Sequence, residues 1–133
     1  TLGCVANEAA YREGAEWVDQ MLAYVDDNHK FLRDYVAENM PTVGYNDPEG
    51  TYLTWLDFSK TMESIGAAER AAELDTDPEL YFQDWLVMNS GVYLNPGSTY
   101  GKGGPGNMRF NLGSSRKVVK DALDHLAKAV NNA

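Results

Sequence analysis

From Trp17 onward apolar residues recur at three- and four-residue spacing, at Met21, Tyr24, Val25, Leu32, Tyr35 and Val36, and no proline interrupts before Pro41. That period is one face of an α-helix. The pattern predicts a single long helix, bent at Asp26-Asp27-Asn28. Running from Val5 to Glu38 it would measure about 50 Å at 1.5 Å per residue, longer than a domain of this size is wide. A helix of that length bridges two bodies. Its early residues Val5, Ala6, Ala9, Ala10 and Tyr11 are small and apolar, more than the remaining chain can cover, so the pattern also predicts a neighbour outside this chain.

After Pro41 the period changes to two. Val43 to Asn46 and Thr51 to Phe58 read as strands separated by the turn-forming Asp47-Pro48-Glu49-Gly50. The second is apolar at most positions, which predicts a central strand covered on both faces. Met62 to Leu74, rich in alanine and glutamate, predicts a surface helix. Asp77-Pro78-Glu79 then supplies an N-cap, a first-turn proline and an acid matched to the helix dipole. The helix it opens buries Tyr81, Phe82, Trp85, Leu86 and Met88, and Gly91 stands where a left-handed cap belongs. Strands Val92 to Leu94 and Met108 to Leu112 follow. A last helix starts at Ser114 or Ser115 and buries Val119, Leu123, Leu126 and Val130. The order predicts an α+β fold: a small, mostly antiparallel sheet packed with helices and preceded by the long helix.

The chain has 133 residues, one domain's worth of core. Its net charge of -9 leaves no positive field for nucleic acid and opposes anionic membranes, so neither is expected as a partner. Cys4 is the only cysteine, and His29 and His125 lie far apart in sequence, so no metal site is expected. Apolar runs are short and no secretory pattern opens the chain, which reads as soluble and cytoplasmic. The first residue is Thr1 rather than methionine, which fits a fragment or a processed chain.

Asn95 to Asn111, NPGSTYGKGGPGNMRFN, carries the candidate chemistry. Alternation along Met108 to Leu112 puts Met108, Phe110 and Leu112 on one face and Arg109 and Asn111 on the other. A guanidinium on a strand keeps its fork geometry, which fits a carboxylate or phosphate through two parallel charge-assisted bonds. The competing reading is a structural salt bridge. Tyr100, with Gly97 and Gly101, lines the entrance to Arg109 or only shapes the turn.

Other apparent motifs fail. Gly101, Gly103 and Gly106 fit GxGxxG, but the segment lies between strands and contains Pro105, whereas the dinucleotide fingerprint leads directly into a helix. A kinase glycine loop lacks its accompanying motifs, and a P-loop has the wrong spacing around Lys102. Trp17, Trp55 and Trp85 read as core. His29, His125 and Lys117, Lys120 and Lys128 read as solvent-facing.

The ordered segments AYREGAEWVDQMLAYVDDN, PEGTYLTWLDF and VYLNPGSTYGKGGPGNMRFNLGSSRKVVKDALDHLAKAV resemble the C-terminal part of fold-type I pyridoxal-phosphate enzymes of the class I/II aminotransferase superfamily. They are most similar to the MalY/PatB branch of carbon–sulfur β-lyases, the cystathionine β-lyase type, from about Ala9 to Val130. The resemblance implies that residues 1–28 form the helix linking a large domain to a small one, and that 29–133 are the small substrate-binding domain. It implies that Arg109 grips the substrate α-carboxylate, with Tyr100, Gly97 and Asn111 as further substrate-binding candidates. It further implies that the cofactor, pyridoxal 5'-phosphate, and the lysine that carries it are to be expected in a large domain upstream of this chain. No catalytic residue is therefore expected here, and the chain alone is expected to be inactive. The parent enzyme is expected to be a homodimer that takes an amino-acid substrate. Three readings of function stand: the lobe of a carbon–sulfur lyase acting on cystathionine or related cysteine S-conjugates, the same lobe of an aminotransferase, or a free-standing interaction domain.

Overall fold

A computed structural model describes residues 1–133. The N-terminal third is helical in two pieces, α1 (Leu2–Glu13) and α2 (Ala15–Asn39). The break falls at Gly14, not at the predicted bend. A side chain at Gly14 would strike the Ala10 carbonyl oxygen, so glycine permits the close turn there. Asp26 to Asn28 continue α2 without interruption, because Asn28 is an interior anchor and not a bend. α1 contains no buried residue, and Leu2, Val5, Tyr11 and Trp17 are all exposed. The assignment of Trp17 to the core is thus corrected: nothing in this chain packs over the first turns of α2.

The C-terminal half of α2 turns Leu32 and Val36, and its C-cap turns Met40, inward onto a four-stranded antiparallel sheet. Its strands are β1 (Gly44–Tyr45), β2 (Leu53–Asp57), β3 (Asn95–Pro96) and β4 (Asn107–Asn111), ordered β1-β2-β4-β3. Val92 to Leu94, expected as a strand, is not one. Helix side chains hold its backbone instead: Val92 N–H donates to Ser90 Oγ, and Leu94 C=O accepts from Gln83 Nε2 at 2.6 Å. Pairing with β4 begins only at Asn95.

Between β2 and β3 run α3 (Ser59–Ser64), α4 (Ala67–Glu73) and α5 (Pro78–Ser90). The single surface helix expected over 62–74 is two short helices. Gly66 separates them in a left-handed conformation at φ 65°, and Ala67 and Ala71 are buried. Asp77 caps α5 as expected, accepting from Glu79 and Leu80 N–H, and Gly91 ends it at φ 71°. Phe82 and Leu86 are buried, but Met88 is 83% exposed, on the outer side of the helix.

α6 (Arg116–Val130) starts from the N-cap Ser115 and buries Val119, Leu123, Leu126 and Val130. These close the core with Leu56, Phe58, Phe82, Met108, Phe110 and Leu112. At about 25 cal/mol per Å² this burial is the main force holding helices to sheet. No helix is long and apolar enough to cross a membrane.

His29, expected in solvent, is buried. Its ring nitrogens lie 3.2 Å from Tyr45 Oη and 3.0 Å from Thr51 O, so it ties α2 to the β1–β2 turn.

Candidate substrate-binding site

β4 is paired on both sides, which places Arg109 directly between Trp55 of β2 and Asn95 of β3. Directly opposed residues share a face, so Asn95, Arg109 and Trp55 form one row across the sheet. All three are half-buried, whereas Met108 and Phe110 on the other face are buried in the core. β2 was expected to be covered on both sides. Its Thr54 and Leu56 are covered and its Leu53, Trp55 and Asp57 are only half so, leaving the Arg109 face of the sheet open.

Partial cover comes from the glycine-rich segment between β3 and β4. A 3-10 turn at Gly97–Tyr100 carries Tyr100 back over the sheet. The Tyr100 ring meets Trp55 edge-on, with centroids 5.3 Å apart at 70°, and the Arg109 guanidinium carbon lies 4.8 Å from the Tyr100 centroid. Stacking of this kind holds a cation's face while leaving its edge free. No carboxylate neutralises that charge: none of the ion pairs in the structure includes Arg109. Its side chain also donates no hydrogen bond within the chain, so the structural salt bridge is absent.

Gly97 lies at the base of this segment, buried, with the Gly104 carbonyl where a side chain would stand. Only glycine allows that approach. Asn111 shares the open face with Arg109, two residues along, but its Oδ1 accepts from Gly113 N–H at 2.8 Å. It lies on the rim of an open groove of about 540 Å3 lined also by Trp17, Met21, Tyr24, Val25 and Tyr52. The groove is a different hollow from the space above Arg109, which is not among its lining residues. Arg109, Tyr100 and Trp55 are thus brought together, while Gly97 and Asn111 stand at the margins.

Sequence reasoning missed two residues that hold this site. Glu79 was read as an acid for the helix dipole, yet its buried carboxylate accepts from Ser98 N–H at 2.9 Å and Gly106 N–H at 2.6 Å. Asn28 donates to the carbonyls of Leu112 at 3.0 Å and Ser114 at 3.1 Å, and accepts from Arg116 Nε at 2.7 Å. It fixes the end of β4 to α2. A polar residue at an inward position of an amphipathic helix was its only signal.

The six lysines are all exposed, and Lys30, Lys117 and Lys120 are in ion pairs with acids on their own helices. None lies in a desolvated pocket where an amine would be made nucleophilic. No set of three or more His, Cys, Asp or Glu side chains is arranged to hold a metal ion.

No family model matches the chain. It is 36% identical over 133 residues to a Mycobacterium leprae protein that carries the cystathionine beta-lyase name, covering 98% of this chain and 32% of that protein. It is 34% identical over 125 residues to the cystathionine beta-lyase PatB of Bacillus subtilis, covering 94% of this chain and 29% of PatB. The chain therefore spans about a third of the length of the relatives it matches. Among solved structures it superposes on the pyridoxal-phosphate-bound C-S lyase of Staphylococcus hominis with TM-score 0.79 and 28% identity, covering 95% of this chain and 30% of that one. A pyridoxal-phosphate-bound protein of Clostridium difficile described as an aminotransferase gives TM-score 0.76 and 34% identity, covering 96% of this chain and 29% of its own. The α+β fold agrees with the C-terminal domain of these enzymes. By sequence and by fold, the chain's homologues are cystathionine β-lyases of the MalY/PatB type and pyridoxal-phosphate C-S lyases, and its match to about a third of their length is consistent with the C-terminal domain of a fold-type I pyridoxal-phosphate enzyme.

Proposed function

We propose that this chain is the substrate-binding lobe of a pyridoxal-phosphate-dependent carbon–sulfur β-lyase, and that Arg109 binds the α-carboxylate of cystathionine or a related cysteine S-conjugate. The observation that carries the reading is the unpaired guanidinium, held on a strand, stacked on Tyr100 and open at its edge. Two parallel N–H bonds to a carboxylate fix both the position and the rotation of the amino acid. Tyr100 and Trp55 form the apolar wall beside it, Gly97 shapes the loop that carries Tyr100, and Asn111 edges the same face.

No lysine of this chain is desolvated, so the chain supplies no candidate for the lysine that carries the cofactor. The electron-sink chemistry of the cofactor therefore belongs to the rest of the parent protein, and this chain alone is inactive. In this reading residues 1–28 link the two domains and 29–133 are the small domain. The exposed Leu2, Val5, Tyr11 and Trp17 then pack on the large domain or on the second subunit of a cytoplasmic homodimer.

The aminotransferase reading keeps one specific support, the likeness to the Clostridium difficile protein. Both readings need the same carboxylate grip, and the products separate them. Purified from its native source, the parent protein is expected to be about three times this length, judged from the covered share of its relatives, yellow, and able to release pyruvate and ammonia from cystathionine. Transfer of the amino group to a keto acid, without pyruvate release, would favour the aminotransferase. A colourless protein of this chain's own mass would overturn both.

A further inference from the structure

We propose that Glu79 is a positioning residue for carboxylate binding, holding the Gly97–Gly106 loop so that Tyr100 stays stacked on Arg109. The proposal rests on the reading that Arg109 binds the substrate carboxylate.

Glu79 as a residue is 5% exposed and pairs with no cation. Burying a carboxylate is costly unless its oxygens are satisfied, and here each oxygen serves a different end of the loop. Oε2 accepts from Ser98 N–H at 2.9 Å and Oε1 from Gly106 N–H at 2.6 Å. Charge-assisted bonds to backbone amides are roughly twice as strong as neutral ones.

The loop needs such a fastening. Five of the ten residues from Gly97 to Gly106 are glycine, and Gly101, Gly103 and Gly106 have positive φ, so its unfolded ensemble is broad and ordering it costs more entropy than usual. Phe58 N–H adds one bond to Gly106 O at 2.9 Å, which secures only the far end. Ser98, two residues before Tyr100, is secured by Glu79. Held at both ends, the loop presents the Tyr100 ring to Trp55 at 5.3 Å and to Arg109 at 4.8 Å. Glu79 thereby acts on Arg109 through Tyr100 and touches no substrate itself.

The test uses the full-length, cofactor-loaded protein, with L-serine as carboxylate probe and ethanolamine as its counterpart lacking the carboxylate, both followed by the visible absorbance of the bound cofactor. Glu79→Gln puts an amide where two acceptors are needed. It is expected to weaken L-serine binding about threefold, no more than removal of the Tyr100 ring itself, to leave ethanolamine unchanged, and to speed amide hydrogen exchange across residues 97–106. In a Tyr100→Ala background it is expected to add nothing. Glu79→Asp, which keeps the charge but withdraws it by one methylene, is expected to show the same selectivity and serves if the glutamine variant does not fold. Equal weakening of both probes, unchanged L-serine binding, or a full additional loss in the Tyr100→Ala background would overturn the proposal. Arg109→Lys separates the two levels. If it weakens L-serine binding and Glu79→Gln does not, only the role of Glu79 falls. If Arg109→Lys has no effect, the carboxylate reading fails and takes this proposal with it.

Discussion

The guanidinium of Arg109 on β4 lies over the ring of Tyr100, 4.8 Å from its centroid, although Tyr100 belongs to the glycine-rich loop nine residues earlier. The ring supports the flat face of the cation, and Trp55 in turn supports the ring. Removing the ring by Tyr100→Ala in the full-length enzyme is expected to lower kcat/KM about three- to tenfold, the range of a partly exposed cation–π contact. Tyr100→Phe keeps the face and is expected to stay within about twofold. Steady-state kinetics on both variants check whether the ring or its hydroxyl matters.

Asn28 makes three hydrogen bonds that reach across the core from α2 to the β4–α6 turn. Asn28→Ala would leave the Leu112 and Ser114 carbonyls without this donor and the Arg116 Nε without its acceptor. Only the Leu112 bond is fully buried, the Ser114 and Arg116 groups being within reach of water, so the cost is on the order of 1–3 kcal/mol. Urea unfolding of the variant is expected to show a lower midpoint at an unchanged slope.

Two tyrosines make the fold sensitive to alkali. Burial pushes the Tyr35 hydroxyl up to about 12, helped by its 2.6 Å bond to Asp124, and burial together with the nearby Asp47 charge pushes Tyr45 up to about 12. Unfolded tyrosines titrate near 10. The folded chain thus keeps these protons to higher pH, and the stability they contribute is whole below about pH 10 and lost as pH rises through about 12. Asp124 works in the other direction. Its bonds from Lys120 and Tyr35 lower its carboxyl, so that contribution is lost only as acid takes pH below the ordinary carboxylate value. Unfolding at pH 8, 10 and 12 is expected to show the alkaline decline, with a shallower slope in Tyr45→Phe.

The elements whose signals were local were legible in the sequence. Asp77, Pro78, Gly91 and Ser115 mark helix ends by their own backbone chemistry, and all four do so in the structure. The alternation around Arg109 also held, because a period of two is fixed once β4 forms. What misled was tertiary. The segment Val92 to Leu94 has strand-like residues, but Gln83 and Ser90 bind its backbone first. His29 and Asn28 look polar and so external, yet both are spent on backbone carbonyls more than twenty residues away in sequence. Trp17 and Met88 look apolar and so internal, but both are largely exposed, at 67% and 83%. Tyr100 beside Arg109 was one of two readings of the segment, but the stacking of ring on guanidinium depends on how the loop folds back, and no spacing encodes that.

The most direct measurement is kcat/KM for cystathionine in the full-length enzyme carrying Arg109→Lys. Lysine keeps the charge but cannot offer two parallel bonds, so a loss of about 10- to 100-fold is expected, about 1.4 to 2.7 kcal/mol of transition-state stabilisation. A value equal to that of the unaltered enzyme would contradict the account, because it would leave the open guanidinium on β4 without a ligand.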